Sequence, residues 1–396
     1  MNLRNFAFVF LLFINLFPAK AKVISVYKSH VVSGFHQDIG TLSPINRETL
    51  TTAEEAVILI PGLNGVTLRQ DLYEWKYFWE SWLKYPVDQE VKKKYLMIVF
   101  RYDGWDSLFE SAETVSRGIQ EILEEHPNIK RISFIGYSQG GVIPRIVLDK
   151  HPEIDSITRK VITTAAPHHG TPTLTTKLLR DVFNNQNPLV GIKNTKALNL
   201  FVGRYRHAYK EQAWDNFDNG LPPSAKYEVP PQALTIPAPQ STEKFIVYGS
   251  YVFPPSAKDA VDYIHYFFGE ILPRTFLDRR SGMKELNRWM ANKVYEDEEP
   301  KLRDSLRLND GVTPLSSAIW ARMCGINEPQ PQEWKNIFPT NNYCPLTGNQ
   351  RVFYGMDHLM WRQDINERKP MADLLHPCEK EKPVYDWIIE DLLSKG

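Results

Sequence analysis

Six short apolar runs rich in β-branched and aromatic residues recur along the chain: "AVILI" from Ala56, "YLMIVF" (95–100), "RISFIG" (131–136), "KVITTAA" (160–166), "KFIVYG" (244–249) and "QRVFYG" (350–355). A strand with one face in water alternates apolar with polar residues, so runs that stay apolar suit strands covered on both faces. Between several of them the period becomes helical. "LFESAETVSRGIQEILEEH" places Leu108, Ala112, Val115, Ile119 and Ile122 on one face, with acids and amides opposite. Residues 69–84, heavy in Trp and Tyr, form a second amphipathic candidate. Strands alternating with helices predict an α/β chain whose central sheet is mostly parallel and flanked by helices.

Two stretches break the alternation. Residues 173–242 form a long stretch that ends in "GLPPSAKYEVPPQALTIPAPQ", whose prolines exclude regular helix and central strand. Residues 252–308 hold little strand signal, with a helix expected around 280–296. The first stretch is expected to be a cap or lid insertion, or equally a surface excursion packed on the core. The second is a further insertion.

At 396 residues and 42% hydrophobic, the chain is long enough for one large core or two smaller ones. Lys plus Arg and Asp plus Glu number 47 each, so net charge signals no basic face for nucleic acid, and no nucleic-acid motif is present. The first 21 residues have Arg4, an apolar run from Phe6 to Phe17 broken by Asn15, and the small-x-small ending Ala19-Lys20-Ala21. That layout predicts a signal peptide over 1–21, cleaved before Lys22, and a secreted or periplasmic domain over 22–396. A dozen apolar residues are too few to span a bilayer comfortably. Cys324, Cys344 and Cys378 are the three cysteines, and export makes a disulfide possible, with Cys324 and Cys344 the nearer pair. Without CxxC spacing they make a poor zinc site, so no metal is expected.

"FIGYSQGGV" (134–142) carries the chemistry. Ser138 follows an apolar run directly, and "GGVIPRIVLDKH" after it can start a helix, with Pro144 tolerable near that start. Strand, tight turn and helix form the setting of a Gly-x-Ser-x-Gly nucleophile elbow. Gly136 and Gly140 suit a strained turn where side chains would clash, and the helix N-terminus favours developing negative charge. A nucleophile on such an elbow needs an acid and then a histidine further along the chain. "LNDGVTPLSSA" offers Asp310, and "VFYGMDHLMW" offers His358 just after the last apolar run. An Asp-Gly pair is also a common turn, so Asp262 and Asp278 stay open as substitute acids, and His358 could be an ordinary loop histidine. The oxyanion hole should take the amide of Gln139 and one from "ILIPGLNG", with Leu63 ahead of Asn64.

Taken in order, "PGLNG", "GYSQGG", "AAPHHGTP", "NDGVTPLSSA" and "MDHLMW" resemble an extracellular bacterial lipase or esterase of the α/β-hydrolase superfamily across roughly residues 54–362. The resemblance implies an α/β-hydrolase fold with a cap, Ser138 as nucleophile, Asp310 as acid and His358 as base, and no cofactor. It implies a structural or pocket role for His168 and His169, and a lipid or ester substrate with transient contact at a lipid interface. An acyltransferase or phospholipase with the same triad is the alternative, as is a hydrolase-fold protein that binds a lipid or a partner without turnover. The sequence departs from the family in two places: Pro61-Gly62 stands where many relatives have His-Gly, and His358-Leu359-Met360 lacks the aspartate that serves a structural calcium.

Overall fold

The structure is a computed structural model that describes residues 41–62, 75–102, 107–171, 211–212, 236–251, 308–338, 343–354, 356, 358, 361 and 383–394. Outside the described residues lie segment 1–21, expected to be a signal peptide, together with Leu63, Asn64, Asp262, Asp278, Cys378, the helix expected at 280–296 and most of both expected insertions.

In chain order the strands are β1 (Thr41–Pro44), β2 (Glu55–Ile60), β3 (Tyr95–Arg101), β4 (Arg131–Tyr137), β5 (Thr158–Thr164), β6 (Phe245–Tyr251), β7 (Ala321–Met323), β8 (Tyr343–Pro345) and β9 (Asn349–Tyr354). Five helices matter below: α1 (Lys76–Lys84), α2 (Leu108–Glu125), α3 (Ile143–Lys150), α4 (Pro152–Ile157) and α5 (Val384–Leu393). All six apolar runs become strands of one seven-stranded sheet, ordered β1-β3-β2-β4-β5-β6-β9. Its pairs are parallel from β3 across to β9, and only the edge strand β1 runs antiparallel, along β3. The β7–β8 pair forms a separate antiparallel ribbon.

Alternation along the strands sorts side chains onto two covered faces. Ala56, Ile58, Ile60, Leu96, Ile98, Phe100, Ile132 and Phe134 join one buried cluster with the apolar stripe of α2 and with Ile143, Ile146 and Val147 of α3. Val57, Leu59, Met97, Val99, Ile135 and Tyr137 join the other, with Phe78 and Trp82 of α1 and with Val384, Ile388 and Leu392 of α5. The period-2 strand meets helices on both sides, which is why these runs carry no polar face.

Strand order fixes where a site belongs. From β2 the chain moves to β3 on one side, and β4 then takes the place on the other side of β2. Ligands of open α/β sheets bind at such a reversal, beyond the strands' C-terminal ends. Here that crevice lies at the ends of β2 and β4, where Gly62 and Ser138 sit.

Candidate active site

Ser138 follows β4 with φ of 52°, a left-handed backbone that a side-chain-bearing residue adopts only under constraint. The glycines make it possible. A Cβ on Gly136 would stand 2.6 Å from the Gly141 Cα, and one on Gly140 would overlap the carbonyl oxygens of Ile60 and Pro61. Gly140 therefore lets the elbow press directly on the end of β2. Gly62 also lies close, since a Cβ there would be 3.1 Å from the Ser138 Cβ. Ser138–Gly141 form a 3-10 turn that leads into α3, with Pro144 at its start.

The Ser138 hydroxyl lies 2.8 Å from His358 Nε2, and His358 Nδ1 lies 2.8 Å from Asp310 Oδ2. With the Nδ1 proton held by the carboxylate, Nε2 is left to accept the serine proton. Asp310 is fully buried and His358 is 5% exposed. The Asp-Gly turn is real as well: Asp310 Oδ1 accepts the amides of Val312 at 2.9 Å and Thr313 at 2.7 Å, and Gly311 has φ of 95°. One oxygen makes the turn and the other faces the histidine, so the turn leaves an oxygen for His358. Backbone bonds lock the parts together. His358 N–H donates to the Asp310 carbonyl at 2.9 Å, and Tyr137 Oη donates to the His358 carbonyl at 2.7 Å. The structure thus brings Ser138, Asp310 and His358 into one hydrogen-bonded line beyond the C-terminal ends of β4, β6 and β9.

Gln139 is buried beside the serine, while Leu63, the other expected oxyanion donor, lies outside the described residues. The "HHG" segment scaffolds the acid loop. His168 is fully buried, stacks on Trp320 at 4.6 Å and shares a 3.0 Å hydrogen bond with the Thr163 hydroxyl. Burial, helped by nearby Arg145, holds the His168 pKa well below its ordinary value, so this ring is neutral. The His169 amide donates to Ser317 Oγ at 2.8 Å, Ser317 Oγ donates to the Gly170 carbonyl at 2.8 Å, and the Thr171 hydroxyl donates to the Val312 carbonyl.

Four contributors lie beyond the sequence reading. Arg145 of α3 is fully buried with its guanidinium 4.2 Å above Trp320, donating to the carbonyls of His168, Ile236 and Pro237. Burial pulls its pKa down to about 9 against the opposing charge of Asp149. Its signal is a lone cation among Ile143, Ile146 and Val147. Trp320, Glu211 and Gln212 leave no comparable mark. Among the described residues no group of three or more His, Cys, Asp or Glu side chains gathers as a metal ion requires.

The strand order, the elbow after β4 and the loops of Asp310 and His358 beyond β6 and β9 define an α/β-hydrolase fold. Residues 102–202, which include β4, the elbow and β5, match the model of the PGAP1-like alpha/beta domain. Comparison with curated protein sequences gives no match. Among solved structures, the chain is similar to a Bacillus licheniformis lipase in mature form, at 14% identity over 79% of this chain and 88% of that one, with a TM-score of 0.34. It is similar to a metagenomic carboxyl esterase at 15% identity over 78% and 65% of the two chains, with a TM-score of 0.33. A lipase-esterase related protein from Clostridium acetobutylicum is similar at 19% identity over 34% and 51%, with a TM-score of 0.23, so the chain spans about half of that protein's length.

Proposed function

We propose that this protein is an exported serine hydrolase that cleaves carboxylic esters of lipid-like acyl chains. The observation that carries the reading is the strained serine in line with a histidine and a buried carboxylate, at 2.8 Å for each hydrogen bond. In the proposed reaction His358 Nε2 takes the Ser138 proton as Oγ bonds to the ester carbonyl carbon. The amides of Gln139 and Leu63 hold the resulting oxyanion. As the intermediate collapses, the carbon–oxygen bond to the alcohol breaks and His358 returns the proton to that leaving group. Water, deprotonated by the same imidazole, then splits the acyl-serine and releases the acid. Asp310 keeps the Nδ1 proton in place and stabilises the charged ring.

The ordered motifs, which resemble those of bacterial lipases and esterases, support an acyl ester as substrate, and the N-terminal sequence together with the Cys324–Cys344 disulfide supports export to an oxidising compartment. Rates on p-nitrophenyl esters of increasing acyl length, measured for residues 22–396 and for its Ser138→Ala variant, test both parts. Hydrolysis that rises with acyl length and is lost in the variant is the expected result. Unchanged hydrolysis in Ser138→Ala overturns the nucleophile assignment, and a preference for acetate overturns the lipid substrate.

A further inference from the structure

The elbow after the nucleophile reads Ser138-Gln139-Gly140-Gly141, so Gln139 is the one residue there, apart from the serine, whose side chain can restrain the turn. That side chain is held. Gln139 is 1% exposed, and its Oε1 accepts a hydrogen bond from Gln212 Nε2 at 2.5 Å. The donor is 73 positions away in sequence, within the stretch 173–242. Gln212 is itself 2% exposed, and its carbonyl accepts the Thr171 amide at 2.9 Å.

Its neighbour explains why it stays there. Glu211 is 3% exposed, and its carboxylate sits on the N-terminus of α2, accepting from Ser107 Oγ and from the Leu108 amide, both at 2.6 Å. A buried carboxylate persists only where hydrogen bonds and opposite charge replace water, and a helix N-terminus supplies both. Glu211 therefore fixes the dipeptide to α2, and Gln212 reaches the elbow from a fixed base.

We propose that Gln212 is a positioning residue for ester hydrolysis, holding Gln139 so that its backbone amide stays aimed at the oxyanion. The proposal rests on the serine-hydrolase reading of Ser138. Gly140 and Gly141 bring no side chain to restrain the chain that follows Gln139, and a rotation at Gln139 moves the amide that follows the nucleophile. Loss of a whole oxyanion donor lowers kcat about 100- to 1,000-fold, and misalignment of one takes a fraction of that.

The test is kcat and KM on p-nitrophenyl acetate for the wild type, Gln212→Leu, Gln139→Ala and the double variant, each expressed per site labelled by a fluorophosphonate. Both single variants break the same contact from opposite sides, so one remains informative if the other fails to fold. The expected result is a kcat loss of about tenfold in each, KM within about twofold, and a double variant no worse than either single. Unchanged kcat in the singles, or losses that multiply in the double, overturns the positioning role while Ser138 labelling still stands. Absence of Ser138 labelling in the wild type overturns the hydrolase reading and this proposal with it.

Discussion

At the C-terminal ends of β4, β6 and β9, Ser138, His358 and Asp310 form one buried polar line. At the opposite ends of β2, β4 and β5, Glu55, Ser133 and Arg159 form another. Glu55 receives Arg159 through two bonds of 2.7 and 2.8 Å and the Ser133 hydroxyl at 2.5 Å. Arg159 also donates to the carbonyls of Leu392 and Ser394, and Lys160 donates to those of Asp391 and Ser394. The last carbonyls of α5 are thus met by two cations, which is the sign a helix C-terminus favours. Both networks are buried and both join residues far apart in sequence. What separates them is the backbone. The lower network holds no residue with a positive φ and answers charge with charge, while the upper one holds its hydroxyl on a φ of 52° with an imidazole nitrogen as acceptor. Burial of polar groups alone does not set the two networks apart; strain beside a proton acceptor does.

The largest effect expected from this contrast is in the upper network. Asp310→Asn keeps an oxygen for the turn amides of Val312 and Thr313 but removes the carboxylate from His358, so kcat on p-nitrophenyl acetate should fall about 10⁴-fold with little change in melting temperature. A loss under tenfold would mean that Asp310 serves the turn alone. Next comes Arg159→Met in the lower network, which leaves Glu55 buried without its partner. Urea unfolding should show a loss of about 3–5 kcal/mol, with kcat per labelled site unchanged. A kcat loss there would show that the two ends are coupled.

The smallest effect is a pH slope. Burial, with a lesser push from Arg159, lowers the Lys160 pKa from its ordinary 10.5 to about 8 in the folded protein. Between those values the unfolded chain keeps a proton that the folded one has shed, so this group's contribution to stability rises with pH across that window. Below about pH 8 both states hold the proton and the slope vanishes. Tyr248, raised well above 10.0 by burial and Asp391, has the opposite sign, but only above that pH. Between pH 8 and 10 the wild type should therefore gain stability relative to Lys160→Met, and parallel curves would contradict the shift.

How much of this is legible in the sequence follows from how local each signal is. The strands β2 to β6 and β9 are legible because each is covered on both faces and carries its own apolar run. The edge strand β1 has four residues ending in Pro44 and gains its identity only by pairing with β3, and β7 and β8 are three-residue strands beside the Cys324–Cys344 bridge. Helix α5 does carry apolar spacing at Val384, Ile388 and Leu392, but in ten residues, and its partners Arg159 and Lys160 lie more than 200 positions away. The same division runs through the site. Ser138 and His358 each follow an apolar run and Asp310 sits in an Asp-Gly turn, so local pattern and chain order single them out as candidates, with Asp262 and Asp278 left open as acids until Asp310 is placed beside His358. Gln212 and Glu211 act across 73 to 104 positions, and no local pattern encodes such a contact.

The central claim is that Ser138 is the attacking group, and the most direct measurement is peptide mapping after reaction with a fluorophosphonate. The result expected is a single adduct on Ser138, formed by the wild type and strongly slowed in His358→Ala. An adduct elsewhere, or equal labelling of wild type and Ser138→Ala, would contradict the account.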